Sequence, residues 1–340
     1  MITASTSARL TSATDSDGRD WRHLWRHAVT DPLELLALLG LDELATQLPS
    51  NDAGFALRVP RGFVARMRHG DARDPLLLQV LPQLAECEEV SGFVTDAVGD
   101  MDARAAHGVL HKYHGRVLLI ASGSCAINCR YCFRRHFPYS EEMAAAGEWR
   151  QALEHLRSDS SITELILSGG DPLALATSKL KELSRGLADI PHVTRLRIHT
   201  RLPVVLPERV DSPFIAWLES LPLQKVLVLH ANHANEIDAS VAAACTRLRD
   251  AGVTLLNQSV LLRDVNDNVA ALTALSEQLF AAGVLPYYLH QLDRVQGAAH
   301  FEVDDARALE LVHGLRVQLP GYLVPKLVRE VGGEVSKRPL

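Results

Sequence analysis

The chain is 340 residues long, with Lys+Arg 35 against Asp+Glu 41, a formal net charge of -6 and 47% hydrophobic residues. That length suits about two domains or one large α/β domain with an extension and excludes a single small module, while the composition excludes disorder and collagen-like structure. No run approaches the roughly 20 apolar residues of a membrane helix, the opening MITASTSARLTSATDSDGRD has no signal-peptide hydrophobic region, and the mild acidity argues against a phosphate-neutralising surface; a cytoplasmic protein with no membrane and no direct nucleic-acid partner is expected.

Residues 1–20, rich in Ser, Thr, Asp and Ala without periodicity, are expected to be a flexible N-terminus. Residues 21–105 read as a helical N-terminal domain. There WRHLWRHAV and DPLELLALLGL carry apolar residues at helical spacing, Asp31-Pro32 makes an N-cap followed by proline at N1, and LRVPRGFVARM sets basic beside apolar residues. After residue 115 short β-rich runs follow: RVLLIAS, ITELILS, VTRLRIHT, KVLVLH, VTLLNQSV and VLPYYLH. Helical stretches such as MAAAGEWRQALEHLRS, ASVAAACTRLRDAG and NVAALTALSEQLFAAG lie between them. Six strand–helix alternations predict right-handed βαβ units and a parallel sheet, an α/β fold. Six units are fewer than the eight of a closed barrel, so residues 106–303 are expected to form an open, partial barrel. Residues 304–340 begin with a helix, DDARALELVHGLRVQL; two prolines before a double glycine then predict an extended arm rather than another barrel unit.

Polar and glycine-containing residues gather where the runs end. CAINCRYC follows the first, Gly169-Gly170-Asp171-Pro172 the second, Thr200-Arg201 the third, Ala231-Asn232-His233 the fourth and Gln291-Leu292-Asp293 the sixth, while Asn257 and Gln258 interrupt the fifth. Strand C-termini are where α/β folds place their active sites. Of the five cysteines, Cys125, Cys129 and Cys132 crowd into C-x3-C-x2-C and Cys87 and Cys245 stand alone. An odd number in a long chain with no sign of secretion argues against a disulfide framework. Three thiolates from one loop can hold a [4Fe-4S] cubane with one iron left open; zinc with His136 as fourth ligand, or a redox pair of Cys129 and Cys132, are the alternatives.

C-x3-C-x2-C with Tyr131 before the last cysteine resembles the loop of the radical S-adenosylmethionine superfamily, and SGGDP at residues 168–172 resembles its methionine-binding GGE-type motif. The wider strings CAINCRYCFRRHFPY, LHKYHGRVLLI, SGGDPL, TRLPVVLPERV, NQSVLLRDVND and YYLHQLD resemble the lysine 2,3-aminomutase family, from about residue 55 to the C-terminus. Within it they are most similar to the branch that makes (R)-β-lysine for elongation factor P. The resemblance implies a [4Fe-4S] cluster on Cys125, Cys129 and Cys132 whose open iron binds the amino and carboxylate groups of S-adenosylmethionine, with electron transfer cleaving it to methionine and a 5'-deoxyadenosyl radical. It places Ser168, Gly169, Gly170 and Asp171 around the methionine portion, Tyr131 near the adenine, and His230 and Gln258 as further contacts. Tyr131 stands where these aminomutases usually carry histidine.

A radical on a saturated amino acid does not move nitrogen at useful rates, so pyridoxal 5'-phosphate is the implied second cofactor, its imine π-system accepting the neighbouring radical. The protein then holds a lysine for that imine. Lys337, beyond Gly332-Gly333, resembles the family's glycine-rich lysine loop and departs from its glycine run at Glu334, Val335 and Ser336. Phosphate needs cationic and hydroxyl donors, and the resemblance puts Tyr113 and Arg116 of KYHGR beside the cofactor, with Lys112 in the same segment. Arg134 matches the family's carboxylate-binding arginine, Arg135 being its structural neighbour. Asp293 and Glu330 fall where lysine aminomutases grip the substrate ε-ammonium, Glu330 in place of an aspartate. Two desolvated carboxylates favour lysine over glutamate.

The implied activity is isomerisation of L-lysine to (R)-β-lysine by 1,2-amino migration, with S-adenosylmethionine regenerated. A reducing donor such as flavodoxin or ferredoxin, and a functional link to elongation factor P and its lysyl-transferring ligase, follow from the same resemblance. A chain end three residues after Lys337 is expected of that branch. The rival readings are a free-standing lysine or glutamate 2,3-aminomutase and a non-catalytic iron–sulfur or zinc binding module.

Overall fold

The computed structural model describes residues 20–49, 55–147 and 149–340, so the expected flexible N-terminus lies outside the described residues apart from Asp20. The chain opens with helices α1 (Trp21–Arg26), α2 (Pro32–Leu39) and α3 (Arg61–Val64), with 3-10 turns at Asp42–Gln47 and Leu84–Cys87. Asp31 caps α2 by accepting from the Leu33 backbone N–H at 2.9 Å, with Pro32 at the first helical position. Strands β1 (Arg104–Ala106), β2 (Val109–Tyr113) and β3 (Arg116–Ser122) follow. Then strand and helix alternate: α4 (Arg150–Ser158), β4 (Glu164–Gly169), α5 (Thr177–Leu187), β5 (Arg195–Thr200), α6 (Leu202–Val205), α7 (Ser212–Glu219), β6 (Gln224–His230), α8 (Ala239–Asp250), β7 (Val253–Val260), α9 (Val269–Ala281) and β8 (Leu285–His290). The tail holds α10 (Asp305–Gln318), β9 (Lys326–Arg329) and β10 (Arg338–Pro339).

Among the described residues ten strands join one sheet in sequence order. β1, β2 and β3 pair antiparallel, β3 to β9 run parallel, and β10 returns antiparallel on β9. The tail therefore departs from the expected extended arm: α10 is a further crossover and β9 a further parallel strand, pairing Leu327 with Leu289 and Val328 with His290. Its apolar signal is two buried residues between Pro325 and Glu330, too short to read as a strand from periodicity.

The period of two in the parallel strands separates two jobs. One face carries Leu165, Leu167, Leu196, Ile198, Leu227, Leu229 and Leu255 into the main core under the helices. The other face turns Arg116, Ser168, Arg197, His199, Gln258 and His290 toward a cavity. The N-terminal helices close the core: Trp21, Leu36, Phe63 and Leu77 belong to the same apolar cluster as Leu119 and Trp217. Among the described residues no helix is long and apolar enough to cross a membrane.

Charge ties the same region to the cysteine loop. Glu86 is fully buried and accepts from Arg130 Nε at 2.8 Å and from Arg135 Nη2 at 2.9 Å. The loop backbone is pinned too, Asn128 N–H donating to Arg58 O at 3.0 Å and Arg130 N–H to Gln79 O at 2.9 Å. Removing one partner of a buried ion pair leaves an uncompensated charge and costs about 3–5 kcal/mol. Glu86→Gln is therefore expected to lower the unfolding free energy by about 3 kcal/mol or more, measured by urea denaturation followed by circular dichroism.

Candidate active site

A cavity of about 590 Å³ is lined by one face of the parallel strands and by the segments at their C-terminal ends, and all sixteen candidate site residues line it. The cysteine loop leaves β3, and its three thiols meet the cavity together. Burial raises the Cys125 thiol well above its ordinary value, with the Cys132 sulfur adding repulsion, and raises Cys132 to about 11, with Cys129 adding its own. Sulfurs so crowded ionise together only when a cation takes up their charge.

The Gly169-Gly170 turn lies flat against the start of that loop. Gly170 N–H donates to Ser122 O at 2.6 Å and Asp171 N–H to Ser124 O at 2.8 Å. Gly169 has φ of 119°, and a Cβ there would stand 2.5 Å from Ser122 O; a Cβ on Gly170 would stand 2.7 Å from Ser124 O. Only glycine allows this approach. The Asp171 carboxylate turns back into the fold. It caps the 3-10 turn Pro172–Ala174 through Leu173 N–H and accepts from Thr200 Oγ1 and from the backbone N–H groups of Arg201 and Leu202. Its side chain is a brace between the ends of β4 and β5, and burial lifts its carboxyl to about 6 against these donors.

Tyr131 sits in a buried hub. Its ring stacks on His230 at 5.7 Å between centroids and 14° between planes, its hydroxyl pairs with His230 Nε2 at 3.0 Å, and it accepts from Asn232 Nδ2 at 2.7 Å and Arg201 Nη1 at 2.5 Å. Burial pushes the His230 ring down to about 3, so it is neutral at physiological pH. Gln258 stands beside His230 in register on β7.

On the opposite side, charges connect in series. Arg134 donates from Nε to Asp100 Oδ2 at 2.7 Å and from Nη1 to Ser168 Oγ at 3.0 Å. Asp100 also takes Lys112 Nζ at 2.7 Å, and Lys112 lies 3.8 Å from Glu330 Oε1. Glu330 accepts from Tyr113 Oη at 2.5 Å and from Lys337 Nζ. The path thus runs unbroken from the cysteine loop to the tail. Although burial opposes ionisation, Arg134 and Lys112 hold Asp100 below the usual carboxylate range, and Lys337 does the same for Glu330. Burial raises the Asp293 carboxyl to about 7, with Lys337 opposing the shift. Arg116 stacks over the Tyr113 ring at 4.7 Å.

Several residues of the site carry no motif. Asp100, Gln79 and Glu236 reach it from loops whose sequence reads as ordinary polar surface. Arg201 and Asn232 did stand at strand ends, which was the available signal. His199 and His290 fall at inward positions of β5 and β8, and the Nε2 atom of each is buried without a hydrogen-bond partner.

Residues 114–191 match the 4Fe-4S single cluster domain family. Over 323 residues the chain is 51% identical to L-lysine 2,3-aminomutase of Escherichia coli, covering 94% of each, and over 321 residues it is 46% identical to L-lysine 2,3-aminomutase of Haemophilus influenzae, covering 94% of this chain and 95% of that one. Among solved structures, a radical SAM methyltransferase from Sphaerobacter thermophilus is similar over 65% of this chain and 68% of that chain, at 19% identity and a TM-score of 0.46. The chain belongs to the L-lysine 2,3-aminomutase family, and it is an isomerase.

The family's cofactors are a [4Fe-4S] cluster, S-adenosylmethionine and pyridoxal 5'-phosphate. The residues present fit them. Among the described residues no three His, Cys, Asp or Glu side chains close around a single metal ion, whereas the thiolates of a cubane each take a different iron. Gly169 and Gly170 line the same cavity as the three thiols, and the unpartnered imidazole nitrogens of His199 and His290 await polar partners in it. Gly170→Ala is expected to force the Ser124 backbone aside, at a cost of about 1–3 kcal/mol, read as a lowered Tm in thermal unfolding of the purified protein.

Proposed function

We propose that the protein converts L-lysine to (R)-β-lysine in the cytoplasm, breaking the Cα–N bond, forming the Cβ–N bond and returning hydrogen from Cβ to Cα, and that the product serves the modification of elongation factor P through its lysyl-transferring ligase. An external donor of the flavodoxin or ferredoxin type supplies the electron. The observation that carries the reading is the continuous run of charge contacts from Arg134, beside the cysteine loop, to Lys337 in the tail, within one cavity. When bound, the cluster and S-adenosylmethionine supply a hydrogen-abstracting radical, and pyridoxal 5'-phosphate supplies a π-system across which nitrogen moves.

The chain's own residues have the remaining work. Cys125, Cys129 and Cys132 hold the cluster, and the backbone of residues 168–171 with Tyr131, His230 and Gln258 receives S-adenosylmethionine. Lys337 holds pyridoxal phosphate, with Arg116 and Tyr113 as its neighbours. Asp100 and Ser168 occupy two of the five donors of Arg134 and aim the rest at a substrate carboxylate. At the far end Glu330 already holds one primary ammonium, that of Lys337. A free lysine presents the same group, and Asp293 lies beside it. An acidic side chain would meet two carboxylates there and be repelled.

Because residues after β3, β8 and β9 all line one cavity, the parallel strands are proposed to curl as a partial barrel. With it goes the division into an N-terminal helical part (21–105), the barrel (106–303) and a C-terminal helix with its lysine arm (304–340).

Anaerobic turnover of labelled lysine and glutamate with chiral product analysis tests the activity: (R)-β-lysine is expected, and glutamate turnover without lysine turnover would overturn the reading. Lys337→Ala is expected to lose the visible absorbance of protein-bound pyridoxal phosphate. In the free enzyme Asp293 gains its charge as pH rises through about 7, so kcat/KM for lysine should climb through that pH. Asp293→Asn should abolish the climb, as read from pH–rate profiles.

A further inference from the structure

Arg201 lies one residue beyond β5 and is buried, with 6% of its surface exposed. A guanidinium keeps its charge in such a place, so the neighbours it acquires are chemically informative. Nη2 donates to Gln79 Oε1 and to Glu236 Oε2, both at 2.8 Å. Nη1 points the other way, to Tyr131 Oη at 2.5 Å and to Cys129 Sγ at 2.7 Å. The seat is rigid, because Glu236 Oε1 is itself held by Asn232 N–H at 2.8 Å, His233 N–H at 3.1 Å and Gln79 Nε2 at 3.2 Å. The balancing carboxylate thus sits on the far nitrogen, and the sulfur faces the cationic end.

Hydrogen bonds and positive charge at a cluster sulfur favour the reduced cluster, which carries one more negative charge, and so raise its reduction potential. We propose that Arg201, seated on Gln79 and Glu236, is a positioning residue that fixes the Cys129 sulfur and raises the reduction potential of the cluster. This rests on the assignment of Cys125, Cys129 and Cys132 as cluster ligands. The step involved is the entry of one electron from an external reductant into the oxidised [4Fe-4S] cluster; no bond to the protein forms or breaks. The same guanidinium binds Tyr131, so it also sets the ring beside His230 and links electron entry to the wall of the S-adenosylmethionine site.

The test uses full-length protein reconstituted anaerobically with iron, sulfide and pyridoxal phosphate, as wild type, Arg201→Lys and Arg201→Gln. Each is titrated with reductant in the presence of mediators, the reduced cluster is read by electron paramagnetic resonance, and iron and sulfide are assayed on the same samples. At the potential that half-reduces the wild type, Arg201→Gln is expected to show a reduced-to-oxidised ratio about tenfold lower, a shift of about 59 mV for a one-electron couple. Arg201→Lys, which keeps the charge, should fall between them. Equal midpoints in variants carrying the wild-type iron content would overturn the role of Arg201 while leaving the cluster assignment intact. If Arg201→Gln does not retain its cluster, Arg201→Lys decides: a lowered midpoint supports the proposal and an unchanged one overturns it. A wild type without iron and sulfide overturns both the cluster and the inference built on it.

Discussion

Three arginines, Arg130, Arg134 and Arg201, are buried around the cysteine loop, and a guanidinium cannot shed its proton to escape the cost of leaving water. Each must find an anion, and none finds it in the loop. Arg130 takes Glu86 and Arg134 takes Asp100, both from the chain before the parallel sheet; Arg201 takes Glu236, from beyond β6. Two of these ion pairs bind the loop to distant segments, and the third seats Arg201, which reaches the loop through Cys129 Sγ and Tyr131 Oη. A loop held only by its own backbone would be free to turn its thiols apart; this one presents them to a single cavity.

The N-terminal region thereby acquires a definite physical task. Its apolar residues join the main core, and its polar atoms, Glu86, Gln79 and the carbonyls of Phe55, Ala56 and Arg58, receive the cysteine loop. The same logic operates across the cavity. Asp100 serves two cations, Arg134 and Lys112, and Glu330 serves Lys337 and Tyr113. A site that must receive an amino acid, with a carboxylate at one end and an ammonium at the other, needs cations and anions separated by a fixed length. Buried pairs supply that separation because moving one member strands its partner.

Much of this was legible before any coordinates. The cysteine spacing, the double glycine and the polar residues closing each β-run are local patterns, and the sixteen residues named from them and from the family resemblance line one cavity. The Asp171 carboxylate was legible in position but not in direction: nothing in SGGDP indicates that it would turn back to brace Thr200 and Arg201. β9 was hidden because a short strand between proline and glutamate has too few residues for a period to emerge. Asp100, Gln79 and Glu236 were hidden for another reason. Each is a common polar residue whose meaning lies in its partner, and the partners are 34, 122 and 35 residues away.

The sequence by itself determined the alternation of strand and helix, the chemistry at the strand ends and the family to which the chain belongs, because these depend on neighbours within a turn or a strand. The tertiary structure alone decided which carboxylate neutralises which arginine, that Lys337 and Tyr113 both meet Glu330, and that the Cys129 sulfur faces a guanidinium. Those outcomes follow from the burial of charge, which has to be balanced by whatever the fold brings within about 3 Å, and contact across 217 residues, as between Tyr113 and Glu330, exists only once the sheet has brought its two ends to one cavity.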